Sequence, residues 1–388
     1  MQTWLVGGAV RDELLGLEPA ERDWVVVGAT PEALETTGYR RVGRDFPVFL
    51  HPETGEEYAL ARTERKSGHG YHGFTVHAGP EVTLEEDLGR RDLTINAMAR
   101  APDGQIIDPW GGRADLEARL LRHVSPAFTE DPLRVLRVAR FAARFAPLGF
   151  RVADETRELM RSMSVSGELD WLVPERAWQE TARALADPAP RRYFEVLMDC
   201  GALVRVLPEL APLFAVDADP TPATALDRAT EATTDASIRL ASLCFPLRAD
   251  GPLADLGERL PIPRRWLELV RATSEWHMNC LELSPDPAAI HAALSGLDAL
   301  RRPDRFEAVL TACDAIAAAR DDHDAWRQRR ELLEGALAAI QALNGSTLAA
   351  EGWRGEALGR ELERRRRAAI ERLVGADGGS RPHAGRSE

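Results

Sequence analysis

Lysine is almost missing from this chain: among 49 basic residues Lys66 is the only one. Positive charge is carried by arginine, whose planar guanidinium grips phosphates and base edges with paired hydrogen bonds. A genomic bias gives the same composition, so the shortage permits such contacts without requiring them. Cysteine is scarce too. Cys200, Cys244, Cys280 and Cys313 are far apart, with no CxxC spacing. That excludes a disulfide frame or zinc ribbon and fits reduced thiols. No run of eighteen apolar residues occurs, so no membrane span is expected. The chain moves straight into Leu5-Val6-Gly7-Gly8 without a basic and apolar leader, so a cytoplasmic location is expected. The net charge of −13 argues against a general polyanion binder. The distribution is uneven, however. Residues 132–151 hold Arg134, Arg137, Arg140, Arg144 and Arg151 and no acid.

At 388 residues the chain is long enough for two or more domains. Up to about residue 125 it mixes short apolar runs (4–6, 24–27, 47–50 and 57–61), read as strands, with turn residues between them. Thr30-Pro31 reads as a helix cap with proline in the first turn. Residues 63–74 are glycine-rich and polar and read as a mobile loop. From about residue 131 the pattern turns helical. Leu133, Leu136, Val138, Phe141 and Phe145 form an apolar stripe. Further helices are expected over 154–163, 174–185, 192–200, 264–278, 305–319, 324–343 and 356–373, with a linker at 217–222. The architecture expected is an α/β head with a long helical remainder.

Four places carry chemistry. Gly7-Gly8 stands between a strand and a helix start, where backbone N–H groups can approach an anion, with Arg11 one turn on. A plain tight turn with a surface arginine fits the same residues. Glu21 and Asp23 stand two residues apart at the mouth of a strand, so they aim at one point. Paired carboxylates with substrate phosphates complete a Mg²⁺ shell; two solvated acids are the plain alternative. Glu57, on a later strand, is a candidate third carboxylate. Arg90-Arg91-Asp92 pairs two phosphate-clamping arginines with an acceptor for a ribose hydroxyl, or simply starts a helix. Finally, Glu130-Asp131-Pro132-Leu133-Arg134 opens a helix on which Asp131, Arg134, Arg137 and Arg140 recur every third residue. An acid and an arginine on one face complement the amine and acceptor edge shared by cytosine and adenine. An ion-paired helix start fits this spacing equally.

Taken together, residues 5–15 (LVGGAVRDELL), 21–27, 43–50 (GRDFPVFL), 90–97 (RRDLTINA), 108–116 and 130–145 (EDPLRVLRVARFAARF) resemble the bacterial class II tRNA nucleotidyltransferases, the CCA-adding enzymes. The segments occur in family order across roughly residues 1–215. The likeness is nearest to the gamma-proteobacterial type, which often carries an appended metal-dependent phosphohydrolase domain. It implies an α+β fold: a polymerase-β-type nucleotidyltransferase head (1–128), then an all-helical neck with the nucleotide-binding helix (129–215), a body with a degenerate HD-like region (216–300), a tail (301–375) and a disordered end (376–388). It implies CTP and ATP as substrates, Mg²⁺ as cofactor, tRNA as partner and pyrophosphate as product. Carried over residue by residue, Gly8 and Arg11 contact the nucleotide and Glu21 and Asp23 hold the metal. Arg91, Arg137 and Arg140 bind the triphosphate. Asp92 selects ribose, and Glu130, Asp131 and Arg134 form the protein template for the base. The loop 63–74 matches the segment that helps switch from C to A addition.

Two departures from the pattern stand out. The family usually has Asp-x-Asp at the metal site, and here the first acid is Glu21, one methylene longer. Where relatives of the phosphohydrolase type read Leu-Cys-His-Asp-Leu-Gly-Lys, this chain reads Leu243-Cys244-Phe245-Pro246-Leu247-Arg248-Ala249. Phenylalanine and proline do not ligate metals, so no phosphohydrolase activity is expected. A poly(A) polymerase, an A-only or CC-only adding enzyme, or a non-catalytic tRNA-binding relative share nearly all the same motifs. The run 364–367, four arginines, fits either tRNA phosphates or a solvated helix end.

Overall fold

A computed structural model of the chain describes residues 1–42, 48–66 and 74–378. These divide into two units, Met1–Ala215 and Val216–Glu388.

The first unit opens with β1 (Gln2–Val6), α1 (Gly8–Leu14), β2 (Asp23–Val27) and α2 (Pro31–Thr36). Then come β3 (Arg40–Val42), β4 (Val48–Leu50), β5 (Glu57–Leu60), β6 (Arg62–Lys66) and β7 (Phe74–Ala78). Helix α3 (Leu84–Gly89), β8 (Ala99–Arg100), β9 (Ile106–Ile107), α4 (Gly112–Ala118) and β10 (Leu120–Leu121) complete the strand-bearing part. After α5 (Leu133–Phe145) and β11 (Arg151–Val152) the chain is helical: α6 (Asp154–Val165), α7 (Pro174–Ala186), α8 (Pro190–Asp199) and α9 (Leu203–Val206).

Seven strands form one mixed sheet in the order β3-β4-β5-β2-β1-β8-β9. Its register positions the site. Val6, the last residue of β1, pairs with Asp23, the first of β2. Asp23 in turn pairs with Glu57 across the parallel β2–β5 ladder. The glycine turn and two carboxylate-bearing positions therefore lie at one end of the sheet. Val25 on one face of the sheet and Val26 and Leu60 on the other are buried in separate apolar clusters, so this part of the ladder is covered on both sides. Thr30 caps α2 by accepting the Ala33 N–H at 3.3 Å, and Thr83 and Glu86 form a reciprocal capping box that fixes α3. Helix α5 packs on α7 and α8, burying Leu136, Val138, Ala139 and Phe145, and carries Arg134, Arg137, Arg140 and Arg144 along it, with Arg140 reaching Glu180 of α7.

The second unit is helical throughout its described residues. It contains α10 (Thr221–Ala232), α11 (Ala236–Cys244), α12 (Pro252–Arg259), α13 (Arg264–Leu281) and α14 (Pro287–Gly296). It continues with α15 (Pro303–Ala319), α16 (His323–Gln341), α17 (Gly345–Ala350) and α18 (Gly355–Gly378). Helices α10, α11, α13 and α15 pack on one another around Leu226, Leu240, Leu243, Leu310 and Ile316. No helix among the described residues is long and apolar enough to cross a membrane.

Several expectations need correction. The linker is shorter than residues 217–222, because Thr221 already begins α10. Helices α10, α11, α12 and α14 escaped the periodicity argument: α10, α11 and α14 are weakly patterned or rich in small residues, and α12 is only eight residues long and anchored by Leu253 and Leu256 alone. The segment 63–74 is not all loop: its ends are the antiparallel pair β6–β7, while residues 67–73 lie outside the described residues, as do 43–47 of the GRDFPVFL motif. The backbone of α18 runs through Gly378, into the segment expected to be disordered, and residues 379–388 lie outside the described residues. The four arginines at 364–367 sit inside α18 rather than at its end. Arg364 and Arg365 each pair with Glu361 at 2.8 Å, and Arg367 pairs with Glu363 at 2.7 Å. These three are ion-paired within the helix, while Arg366 has its Nε buried without a hydrogen-bond partner.

Candidate active site

A cavity of about 690 Å³ opens at the end of the sheet where Val6, Asp23 and Glu57 come together. Its size suits a small organic ligand. The head supplies Gly7, Gly8, Arg11, Glu21, Asp23, Glu57, Arg91, Asp92 and Asn96; Asp131 and α5 supply the opposite wall with Arg134, Arg137, Arg140 and Arg144. Of the residues singled out from sequence, Glu130 alone does not line it.

Gly7 holds φ at +70°, and a Cβ there would stand 2.7 Å from Arg91 Nη1. Only glycine lets the turn pass so close to that guanidinium. Arg11 is buried. It donates from Nε to Asp12 Oδ1 at 2.8 Å and from Nη1 to Asn96 Oδ1, and it lies against the rings of Phe141 and Phe145. Burial lowers its pKa, while Asp12 counters this. Arg91 binds Asp87 Oδ2 at 3.2 Å, and its Nε is buried without a hydrogen-bond partner. An unpaired buried donor in a cavity wall is costly unless a ligand accepts it.

Asp23, at the exposed mouth of β2, is a carboxylate under opposing influences. Burial raises its pKa, Arg91 lowers it, and the charge of Glu21 raises it again, leaving it above the usual aspartate value. A cation between Glu21 and Asp23 would relieve that repulsion, so the pair fits a divalent metal. Among the described residues no cluster of three or more His, Cys, Asp or Glu could hold an ion alone. A metal held by this pair would need its remaining ligands from substrate and water.

Asp92 is buried and central. Its Oδ1 accepts from Leu93 N at 2.8 Å and Asn96 Nδ2 at 2.9 Å, and its Oδ2 accepts from Arg137 Nε at 2.8 Å. Arg140 donates from Nε to Glu180 Oε2 at 2.6 Å. Both α5 arginines thus reach the cavity already braced by a carboxylate. The expected Asp131–Arg134 face is arranged differently. Asp131 is in extended conformation before the helix, caps it by accepting Leu133 N at 3.0 Å, and is held by Arg176 at 2.8 Å. Arg134 donates to the carbonyls of Ala127 at 2.7 Å and Arg90 at 2.6 Å. Each side chain is thus braced by groups elsewhere in the first unit. Asp12, Asp87, Asn96, Arg176 and Glu180 escaped the sequence reading. Asp87 carried a signal, being three and four residues before Arg90 and Arg91. Glu180 and Arg176 carried none, since their partners lie some forty residues away.

The family model described as Poly A polymerase head domain matches residues 3–122. The model described as probable RNA and SrmB-binding site of polymerase A matches 149–214. The multifunctional CCA protein of Thioalkalivibrio sulfidiphilus is 52% identical over 98% of this chain and 100% of its own length. The CCA-adding enzyme of Pseudomonas putida is 51% identical over 95% of this chain and 98% of its own. Among solved structures, the Thermotoga maritima CCA-adding enzyme complexed with tRNA has a TM-score of 0.68 at 22% identity, covering 98% of this chain and 88% of that one. The Bacillus stearothermophilus CCA-adding enzyme in complex with CTP has a TM-score of 0.65 at 24% identity, covering 96% and 89%. These two likenesses bear on the fold, which is the α+β head with a helical remainder. Half-identity along nearly the full length of both sequences bears on kinship: the chain belongs to the CCA-adding enzymes, the tRNA nucleotidyltransferases.

Proposed function

We propose that the cavity adds C, C and A to the 3′ end of tRNA from CTP and ATP, without a nucleic-acid template, releasing pyrophosphate. The observation that carries this reading is the opposition, across one cavity, of the Glu21–Asp23 carboxylates and the arginines of α5. In the same reading residues 1–128 form the catalytic head, 129–215 the neck, 216–300 the body and 301–375 the tail, and the work is done in the cytoplasm.

Nucleotidyltransferases generally use a divalent ion. Here Glu21 and Asp23 would hold Mg²⁺, which when bound would supply charge neutralisation at the α-phosphate and ease ionisation of the tRNA 3′-hydroxyl. Arg11, Arg91, Arg137 and Arg140 bind the triphosphate beside Gly8, and their braced guanidiniums need no rearrangement as charge moves toward pyrophosphate. The 3′-oxygen attacks the α-phosphorus, and the bond to the bridging oxygen of pyrophosphate breaks in line. Asp92 accepts a ribose hydroxyl. For the base, Asp131 offers carboxylate acceptors and Arg134 guanidinium donors on the same cavity wall. An amine beside a ring acceptor satisfies both, as cytosine and adenine offer. Uracil and guanine leave them mismatched, which is a strong basis for rejection. Glu130, outside the cavity wall, acts at most through its neighbour Asp131.

The test is incorporation of labelled CTP and ATP, separately and together, into tRNA ending before, within and after CCA. Ordered addition of C, C and A is expected. Addition of A alone to many RNAs would establish the poly(A) alternative, and binding of tRNA with no incorporation would establish the non-catalytic one.

A further inference from the structure

The charges along the cavity are not evenly matched. Arg137 has Asp92, and Arg140 has Glu180. Arg11 and Arg144, in contrast, share one carboxylate. Asp12, itself buried, gives Oδ1 to Arg11 at 2.8 Å and Oδ2 to Arg144 Nη2 at 3.1 Å. Two cations on one anion leave a surplus positive charge in this part of the wall.

Arg144 is also the less occupied of the two. Its guanidinium rests over the Phe145 ring at 5.2 Å, and among the described residues its one hydrogen-bonding partner is Asp12. Five N–H groups make an arginine, so most of those on Arg144 remain open. Its side chain is 34% exposed and lines the cavity. Seven residues separate it from Arg137, two helical turns, so both stand on one face of α5 about 10 Å apart along the axis. Arg11, joined to it through Asp12, approaches Gly8 closely: a Cβ there would meet Arg11 Nη2 at 3.4 Å.

We propose that Arg144 is a further ligand of the incoming nucleotide's triphosphate, held in place by Asp12 as a positioning residue. This rests on the nucleotide reading of the cavity given above. The chemistry recognised is a phosphate oxyanion, which the nucleotide or the RNA 3′ end can supply. Its tether to Arg11 and its place in line with Arg137 favour the nucleotide.

The experiment uses the full chain. Binding of CTP and ATP is measured by calorimetry with no RNA present, binding of tRNA lacking CCA is measured separately, and KM and kcat follow from incorporation. Arg144→Gln is expected to weaken CTP and ATP alike, by roughly tenfold, since a phosphate contact ignores the base. KM should rise by a similar factor, tRNA affinity should stay as in wild type, and Arg144→Lys should recover part of the loss. Asp12→Asn, which keeps the shape but loosens both arginines, should shift nucleotide binding in the same direction and add little to Arg144→Gln. Unchanged nucleotide binding in Arg144→Gln overturns the proposal, as does a loss confined to tRNA. If Arg144→Gln is misfolded by circular dichroism, Arg144→Lys decides by the same readout. Wild-type protein that binds neither CTP nor ATP would instead overturn the nucleotide reading itself, and this assignment with it.

Discussion

Asp92 and Arg137, forty-five residues apart, meet at 2.8 Å and tie the loop after α3 to the arginine face of α5. Burial alone would raise the Asp92 pKa. The charge of Arg137, with hydrogen bonds from Asn96 and Leu93, outweighs it and holds the carboxyl well below the usual range. A depressed folded-state value means that ionised Asp92 stabilises the fold above the unfolded value of about 3.9, and that this contribution is lost as pH falls from there toward the folded value. Asp92→Asn is expected to cost about 2–3 kcal/mol at pH 7, because it leaves Arg137 half-exposed with only the more distant Glu180. Urea midpoints at pH 7 and pH 3 check this: the gap between wild type and variant should narrow at the lower pH.

Asp23 behaves in the opposite sense. Its pKa is raised by partial desolvation, with Arg91 opposing and Glu21 adding to it, but the residue stays exposed, so its charge works only weakly against folding. Asp23→Asn is expected to raise the melting temperature of the free protein slightly at pH 7, an advantage that fades as pH falls from the folded pKa toward the unfolded one and is gone below it. The same change should lower incorporation by on the order of a thousandfold, as loss of a metal-holding group does. Millimolar Mg²⁺ should raise the melting temperature of wild type and not of the variant. A variant no more stable than wild type, yet fully active, would remove Asp23 from the metal site.

Gly7 offers a sharper steric test. Gly7→Ala must keep φ near +70°, at a cost of about 1–2 kcal/mol, and must displace the Arg91 guanidinium that its Cβ would meet at 2.7 Å. Displacing Arg91 removes a triphosphate contact, so KM for both nucleotides should rise roughly tenfold with a smaller change in kcat. Steady-state kinetics distinguish this from general instability, which would reduce active enzyme without shifting KM.

How much of this was legible beforehand depends on the range of each interaction. Gly7-Gly8, Glu21 and Asp23 declare themselves because strand alternation and a turn are local, and the Val6–Asp23 register then brings them together. The α5 arginines declare themselves by helical spacing. What the chain could not announce is who braces them. Glu180 reaches Arg140 from α7 and Arg176 reaches Asp131, and no periodicity links residues so far apart. Asp131 and Arg134 do line the same cavity, but Asp131 lies ahead of the first helical turn, so helical spacing did not reveal its hold by Arg176. The alanine-rich helices of the second unit were hidden because their buried and exposed faces differ little in hydrophobicity.

The second unit supports a prediction of absence. Phe245 follows α11 and is buried, with its ring 5.0 Å from that of His277 and the Arg320 guanidinium over it at 5.4 Å. His277 Nδ1 stands 3.1 Å and 3.0 Å from the carbonyls of Thr273 and Ser274, so that nitrogen carries its proton and donates it back to its own helix. Burial also lowers the His277 pKa, so the ring is neutral near pH 7. The position where related phosphohydrolases carry His-Asp is thus filled by an apolar ring and a proline. The full chain is expected to hydrolyse neither p-nitrophenyl phosphate nor its diester with Mg²⁺, Mn²⁺ or Ni²⁺ present. Phe245→Ala should cost about 3–5 kcal/mol, as loss of a buried aromatic ring does, while leaving CTP binding unchanged. Metal-dependent hydrolysis that disappears in His277→Ala would show that this region kept a chemistry its residues do not suggest.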